Sequence, residues 1–218
     1  MSGVWCHLEP IDSQHHSAAL FQAFSKDTEN RSWSYLSYGP FENAAALTRW
    51  IEKTCLGSDP LFHAIVDQSS NKALGVASYL RVNPAVGVIE VGHINYAPML
   101  QQTRAGTEAM YLMMKRVFEE LGYRRYEWKC DALNAASRQA AERLGMTFEG
   151  VFRQATIYKH RNRDTAWFSI LDYDWPRMKV SFEAWLKSEN FTENGKQIKR
   201  LSDLIPEDVP HQSRPGRY

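Results

Sequence analysis

Cysteine is scarce in this chain of 218 residues: Cys6, Cys55 and Cys130 are far apart, and no C-x-x-C pair occurs. This spacing excludes a disulfide framework, so we expect reduced thiols. Cys130 ends the strand-like run YEWKC, where a thiol is either a nucleophile or, more commonly, a packed core side chain.

A long apolar run and an excess of one charge are also absent. No run approaches the roughly 18 apolar residues of a membrane span, and residues 1–10 lack the basic and apolar regions of a signal peptide. The 26 basic and 25 acidic residues almost cancel, which argues against an overall nucleic-acid or membrane-surface footprint. We therefore expect a cytoplasmic protein with neither a membrane nor a nucleic-acid partner.

One local exception is the basic segment 159–163, KHRNR. Between two strand-like runs, such a segment is typical of a solvated hairpin turn. The alternative is a surface for nucleic acid or an acidic peptide.

Strand-like and helical patterns alternate along the chain. Strands are predicted at 4–10, 61–67, 73–82, 88–96, 125–129, 146–158 and 165–171, and helices at 13–24, around 47–57, at 107–121 and at 134–144. This order predicts an α/β fold with a mixed sheet. We expect one domain over residues 1–177, then a C-terminal helix and a mobile, charged tail over 178–218.

The junction at residues 101–107, QQTRAGT, leads from a strand into a long amphipathic helix. A helix N-terminus presents backbone N–H groups without intrahelical partners, and the helix dipole adds about half a positive charge there. Such a junction binds anions, and a pyrophosphate fits it. Taken alone, the segment is equally an ordinary helix entry.

Two segments carry a family resemblance: IEVGHINYAPMLQQTRAGTEA and YEWKCDALNAASRQAAERLGMTFEGVFRQ. They resemble the GNAT superfamily of acetyl-CoA-dependent N-acetyltransferases, in the branch similar to the ribosomal-protein alanine and serine N-acetyltransferases. The resemblance covers residues 7–175. It implies a mixed, mostly antiparallel sheet with splayed central parallel strands flanked by helices. It also implies acetyl-CoA as the acetyl donor and no metal.

The coenzyme-binding residues follow from this resemblance. The family signature Q/R-x-x-G-x-G/A matches as Gln101-x-x-Arg104-x-Gly106, with arginine in place of the middle glycine. Arginine lacks the backbone freedom of glycine but brings a fork of donors that suits phosphate. The implied residues are His93, Ile94 and Tyr96 in the strand, Gln101, Gln102, Thr103, Arg104, Ala105, Gly106 and Thr107 in the loop, and Asn134 and Ser137 in the next helix.

The resemblance also suggests catalytic groups. Glu90 occupies a strand position where many GNAT members carry a carboxylate, so it is the first candidate for the general base and Glu149 the second. The alternative for Glu90 is a solvated or merely orienting residue, and His93 is more typical of a structural histidine than of a base. Ser137 is expected near the sulfur as a weak acid, while Asn134-x-x-Ser137 is also an ordinary helix N-cap.

Acceptor recognition is expected at the rim formed by the aromatic loop 33–41 and the hairpin 158–164. The candidate contacts are Trp33, Tyr35, Tyr38 and Tyr158, with packing as the alternative for the three loop aromatics. The expected acceptor is a primary amine: a protein N-terminus, an amino acid, an aminoacyl group or a small-molecule amine. The alternative function is a non-catalytic acyl-CoA-binding or interaction module, motivated by Arg104. The sequence leaves the oligomeric state open.

Overall fold

A seven-stranded sheet forms the centre of the computed structural model, which describes residues 1–206. The strand order is β1-β2-β3-β4-β5-β7-β6, and only β4 and β5 are parallel. The strands are β1 Cys6–Pro10, β2 Leu61–Asp67, β3 Lys72–Asn83, β4 Val88–Tyr96, β5 Arg125–Asp131, β6 Thr147–Tyr158 and β7 Arg161–Leu171. This arrangement confirms the predicted α/β class and the mostly antiparallel sheet.

Helices cover the sheet through two separate apolar clusters. The helices are α1 Ser13–Phe24, α2 Ala44–Thr54, α3 Arg104–Lys115, α4 Ala135–Arg143, α5 Trp175–Leu186 and α6 Leu201–Leu204. Helices α1 and α2 share one cluster with alternate residues of β2, such as Phe62 and Ala64. Helices α3, α4 and α5 share the other cluster with Ile89 and Val91 of β4. Because strand side chains alternate between faces, the two clusters lie on opposite sides of the sheet.

Short polar side chains begin the helices that flank the site. Asp12 caps α1, Asn43 caps α2, Thr103 caps α3 and Asn134 caps α4, each accepting a backbone N–H of the first turn. Such side chains satisfy N–H groups that have no partner within the helix.

The central parallel pair is short. Residues of β4 pair with β5 only from Val88 opposite Arg125 to Val91 opposite Trp128. Beyond that point, β4 carries a bulge relative to β3, and His93 adopts a left-handed backbone with φ of 50°. The carboxyl-terminal parts of β4 and β5 therefore diverge, and their backbone groups on that side are not used in pairing with each other.

Some predicted boundaries differ from the structure. Helix α3 begins at Arg104 instead of residue 107 and continues after Lys115 into a π-helical turn, Arg116–Glu120. Strand β7 begins at Arg161 instead of residue 165, because Lys159 and His160 alone form the turn. Both turn residues have positive φ, 47° and 58°, which is the backbone of a tight two-residue hairpin.

The C-terminal part of the described chain packs against the same core. Helix α5 begins at Trp175, and Phe182 and Trp185 are buried with α3. Leu201 of α6 is fully buried in that cluster, and the Ser181 hydroxyl donates to the Leu204 carbonyl at 2.8 Å. Residues 178–206 thus add to the domain. The mobile tail stays a prediction for residues 207–218, which lie outside the described residues.

No helix within residues 1–206 is long and apolar enough to cross a membrane. The same residues contain no group of three or more His, Cys, Asp or Glu side chains that could hold a metal ion.

We predict an acid-sensitive stability from His63 of β2. Its buried ring packs edge-on against Tyr79, and burial lowers its pKa from 6.5 to about 4. The unfolded chain therefore takes up a proton first, and stability is lost as the pH falls from about 6.5 towards about 4. From pH 7 to pH 5 the free energy of unfolding should fall by about 2 kcal/mol more in the wild type than in His63→Gln. Urea unfolding of both proteins at both pH values measures this difference. An equal fall in the free energy of unfolding in the two proteins would contradict the prediction.

Candidate active site

The loop 101–103 leads directly into the first turn of α3. Gln102 adopts a left-handed backbone with φ of 58°, and the Thr103 hydroxyl oxygen accepts the Gly106 N–H at 3.0 Å. The Gln101 side-chain amide donates a hydrogen bond to the Tyr96 carbonyl at 2.9 Å. Because the first N–H groups of a helix have no intrahelical partner, this junction offers donors and a positive dipole end to an anion.

Gly106 is required by close packing inside this turn. A Cβ built on Gly106 would lie 2.6 Å from the Leu100 carbonyl oxygen and 3.1 Å from the Tyr96 ring. The Tyr96 hydroxyl also donates to the Gly106 carbonyl at 2.9 Å. The end of β4 and the first turn of α3 are therefore fastened to each other. Ala105 and Thr107 are buried, so their side chains do not line an open surface.

Arg104 is the first residue of α3 and stands where the family signature has its middle glycine. Its guanidinium lies between two aromatic rings, 4.1 Å from the ring centroid of Trp5 and 4.0 Å from that of Phe191. The arginine side chain thus lies against these two rings, and its backbone has ordinary helical geometry.

His93 and Ile94 form the bulge where β4 leaves β5. The His93 ring packs against Tyr38, at a centroid distance of 5.7 Å, and against Phe62, at 4.9 Å. Burial, aided by the positive charge of Arg81, lowers the pKa of His93. A neutral ring in aromatic packing fits the structural alternative for His93 better than a proton-transfer role.

Glu90 lies on β4, two residues before the bulge, and is 4 % exposed. Its Oε2 atom is 2.8 Å from the Lys129 ammonium and is also paired with Arg81. Within residues 1–206 no hydrogen bond involves Oε1, which lies 3.7 Å from the place of a Cβ on Gly92. One carboxylate oxygen is thus held by cations, and the other is directed towards the bulge.

Glu90 belongs to a row of alternating charges. Lys129 also lies 2.7 Å from Glu127, and Arg125 is 2.6 Å from Glu127. Arg125 then holds Glu149 through two bonds of 2.8 and 2.5 Å. The hydrogen bonds from Arg125, and one from the Ser169 hydroxyl, lower the pKa of Glu149.

Glu149 is remote from the bulge. Its partner Arg125 pairs with Val88 at the first residue of β4, whereas the bulge lies beyond Val91. Glu149 is therefore the weaker of the two candidate bases.

Asn134 and Ser137 lie at the N-terminus of α4, on the opposite face of the sheet from Glu90. The Asn134 side chain accepts the Ser137 N–H at 3.1 Å, and the Ser137 hydroxyl oxygen accepts from the Trp128 indole at 2.9 Å. Cys130 lies nearby, and burial raises the pKa of its thiol. The cap and the thiol both match their structural alternatives, while the Ser137 hydroxyl retains its own proton to donate.

The predicted rim elements meet above the end of β5. The Tyr35 hydroxyl donates to the Leu133 carbonyl at 2.9 Å, and the Tyr158 hydroxyl donates to the Asp131 carboxylate at 2.7 Å. The Lys159 ammonium donates to the Trp33 carbonyl at 2.9 Å, which joins the hairpin to the aromatic loop. Burial, then the bond to Asp131, raises the pKa of Tyr158.

Trp33 and Tyr38 are packed in place. Trp33 is 3 % exposed, with its ring against Phe24 and Phe41. The Tyr38 ring stacks on Trp50 at 4.3 Å and also contacts the rings of Trp33 and of His93 in the bulge. These two side chains support the rim from below, whereas Tyr35 and Tyr158 lie in it.

Sequence reasoning missed three charged residues of the site: Arg81, Lys129 and Asp131. Lys129 and Asp131 share a face with Glu127 because they follow it at intervals of two in β5, so strand alternation could have found them. Arg81 has a left-handed backbone with φ of 49°, and nothing in its sequence context signals that turn towards Glu90.

A parallel pair of strands that diverges beside a helix N-terminus is the arrangement that the family resemblance implies for an acyltransferase. The family model of the acetyltransferase (GNAT) domain matches residues 6–147. The chain therefore belongs to the GNAT acetyltransferase family, as its sequence resemblance predicted.

Solved structures agree with this family. A GCN5-related N-acetyltransferase from Brucella melitensis has 44% sequence identity and a TM-score of 0.91, with 94% of this chain and 92% of that chain covered. A GNAT-family protein from Chromobacterium violaceum has 46% identity and a TM-score of 0.75, with 80% and 87% covered. The microcin C7 self-immunity acetyltransferase MccE, solved with acetyl-CoA and AMP, shares the fold at 20% identity and a TM-score of 0.66, with 78% and 93% covered. No curated protein matches significantly.

We predict that Gly106→Ala destabilises the protein and weakens acetyl-CoA binding. The added methyl group would meet the Leu100 carbonyl oxygen at 2.6 Å, so the loop or the first turn of α3 must shift. Such overpacking costs about 1–3 kcal/mol. Chemical unfolding and acetyl-CoA titration calorimetry measure the two effects. Gly57→Ala is the matched control, because a Cβ there meets nothing within 4 Å; equal behaviour of the two variants would contradict the role given to Gly106.

Proposed function

We propose that this protein moves an acetyl group from acetyl-CoA to a primary amine by direct attack in a ternary complex. The observation that carries the proposal is the divergence of β4 from β5 after Val91, immediately before an anion-binding helix N-terminus. Such a gap takes an extended ligand that pairs with the free strand backbone. Acetyl-CoA supplies the activated thioester.

The backbone around the bulge would hold the donor. Main-chain groups of His93, Ile94 and Tyr96 would pair with the pantetheine arm, and the loop 101–107 would bind the pyrophosphate. A backbone N–H near Ile94 would donate to the thioester oxygen as negative charge develops there. These roles need backbone geometry and not particular side chains.

Glu90 would receive the amine proton, directly or through water. Its buried carboxylate is held by Lys129 and Arg81 through Oε2, which leaves Oε1 as the atom nearest the bulge. A carboxylate fixed in this way needs little reorganisation before it accepts a proton. Ser137, whose N–H is capped at the N-terminus of α4, would donate a proton to the leaving thiolate from the other face of the sheet and would regain one from water.

The acceptor would enter beneath the rim formed by Tyr35 and Tyr158. Candidate acceptors remain protein N-termini, amino acids, aminoacyl groups and small-molecule amines. A ribosomal-protein-serine acetyltransferase homologue from Vibrio cholerae shares the fold at 17% identity, with a TM-score of 0.67, 78% of this chain covered and 95% of that chain, which makes N-terminal peptides a natural first panel. A turnover screen over all four classes, read by release of the CoA thiol, tests the function.

The alternative is a module that binds acyl-CoA without turning it over, and Arg104 in the signature favours it. Binding of acetyl-CoA with no thiol release from any amine would support this alternative. Failure to bind acetyl-CoA at all would overturn both.

We predict that Glu90→Gln lowers kcat by about 100-fold with little change in acetyl-CoA affinity, because the amide cannot accept the amine proton. Steady-state kinetics across pH and calorimetry measure the two quantities. Glu149→Gln serves as the matched control and should retain most activity, since Glu149 lies on β6 and is bonded to Arg125 at the start of β5. A normal pH profile in Glu90→Gln would reduce Glu90 to a structural role.

A second prediction concerns acceptor choice. Tyr35→Phe removes the hydroxyl that bonds the Leu133 carbonyl and so loosens the rim, while the donor site is untouched. The acceptor KM should rise about threefold or more, as expected from one lost hydrogen bond, with the acetyl-CoA KM unchanged. Trp33→Phe should instead lower the melting temperature, because Trp33 is core. Parallel loss of donor and acceptor binding in Tyr35→Phe would contradict this division.

A further inference from the structure

The two faces of the Arg104 guanidinium are covered by aromatic rings from distant parts of the chain. Trp5 precedes β1, and Phe191 follows α5. Their centroids lie 4.1 and 4.0 Å from the central carbon of the guanidinium, within the range of a cation–π contact on both sides. We refer to these three side chains, Trp5, Arg104 and Phe191, as the arginine clamp.

The donors of Arg104 are unused inside the described chain. Across residues 1–206 no hydrogen bond or ion pair involves its guanidinium. The expected helical partner, Glu108 at i+4, is occupied, because its carboxylate accepts the backbone N–H groups of residues 4–6 at 2.7 to 2.9 Å. Ring stacking covers the faces of a guanidinium but leaves its N–H edge available.

The segment that carries Phe191 is itself held firmly. Asn190 bonds Lys199 through both its side-chain oxygen and its side-chain nitrogen, at 2.8 and 3.1 Å. The Phe191 ring packs edge-on against Trp185 of α5 at 5.0 Å. Arg143 lies 5.1 Å from the Trp185 ring and donates to the Thr107 hydroxyl of α3 at 3.2 Å. The segment 188–200 therefore contacts α5 directly and is linked through Trp185 and Arg143 to the first turn of α3.

We infer that Trp5 and Phe191 are positioning residues that hold Arg104 so that its N–H edge donates to a phosphate of CoA. This inference rests on the proposed function, because it needs acetyl-CoA at the loop 101–107. It makes Phe191 part of the donor site, although this residue lies outside the matched domain 6–147. The clamp compensates for the missing glycine: the arginine side chain supplies donors where closer backbone approach is lost.

The physical advantage lies in preorganisation. A free arginine side chain loses rotamer entropy when it is ordered on a ligand. Stacking between two rings imposes that order before the ligand arrives, and it removes water from the guanidinium faces without using the N–H donors. Loss of one ring should therefore weaken phosphate binding and leave acetyl transfer itself unchanged.

The test compares donors with and without phosphate. Phe191→Ala should raise the KM and Kd of acetyl-CoA about fivefold or more, in the range of one cation–π contact, with kcat unchanged. The kcat/KM for S-acetylpantetheine, which has no phosphate, should stay at the wild-type value. Acetyl-dephospho-CoA separates the two phosphate sources: a retained effect assigns the pyrophosphate, and a lost effect assigns the 3′-phosphate. Ile198→Ala, at an exposed position of the same segment, is the control and should behave as wild type.

A double-mutant cycle shows whether Phe191 acts through Arg104. Arg104→Met alone should weaken acetyl-CoA binding, and adding Phe191→Ala should then cost nothing further. Equal loss of activity with acetyl-CoA and S-acetylpantetheine in Phe191→Ala, or unchanged acetyl-CoA binding in it, would overturn the inference. Wild-type protein that fails to bind acetyl-CoA in the same calorimeter would instead mean that the proposed function is wrong.

Discussion

The parallel pairing of β4 with β5 ends at Val91 and Trp128, and the arrangement of the site depends on that ending. Past this point the bulge at His93 turns the β4 backbone away, so main-chain groups that a regular sheet would use for itself are left for a ligand. The same divergence aligns the end of β4 with the first turn of α3, where the Tyr96 hydroxyl bonds the Gly106 carbonyl. The strand backbone that β5 leaves unpaired and the positive end of the α3 dipole therefore lie at the same end of β4.

Charge on one face of the sheet is arranged in alternation. Burying an isolated carboxylate is expensive, but Glu90, Lys129 and Glu127 compensate one another in sequence. The two cations also orient Glu90. They hold its Oε2 atom, and its Oε1 atom is directed towards the bulge. On the other face, Ser137 is fixed by its bond with the Trp128 indole. Glu90 and Ser137, the proposed proton acceptor and donor, thus lie on opposite faces of the sheet.

Segments far apart in sequence complete both halves of the site. On the proposed acceptor side, the hairpin contacts the aromatic loop. Two cations of the basic segment, Lys159 and Arg161, donate hydrogen bonds to backbone carbonyls of that loop. On the donor side, Phe191 reaches Arg104 from beyond α5. Residues 188–206 thus pack against the domain, whereas their composition predicted a tail.

The sequence by itself determined the alternation of strands and helices, the cap at Asn134, and the family, because these depend on local pattern and spacing. It also selected Glu90, His93 and Ser137 as candidates, but it could not distinguish their roles. Only the tertiary structure decided that Trp33 lies in the hydrophobic core, that Glu149 is ion-paired with Arg125, and that Arg104 packs against Trp5 and Phe191. Those outcomes depend on contacts across many residues of chain, which no local periodicity encodes.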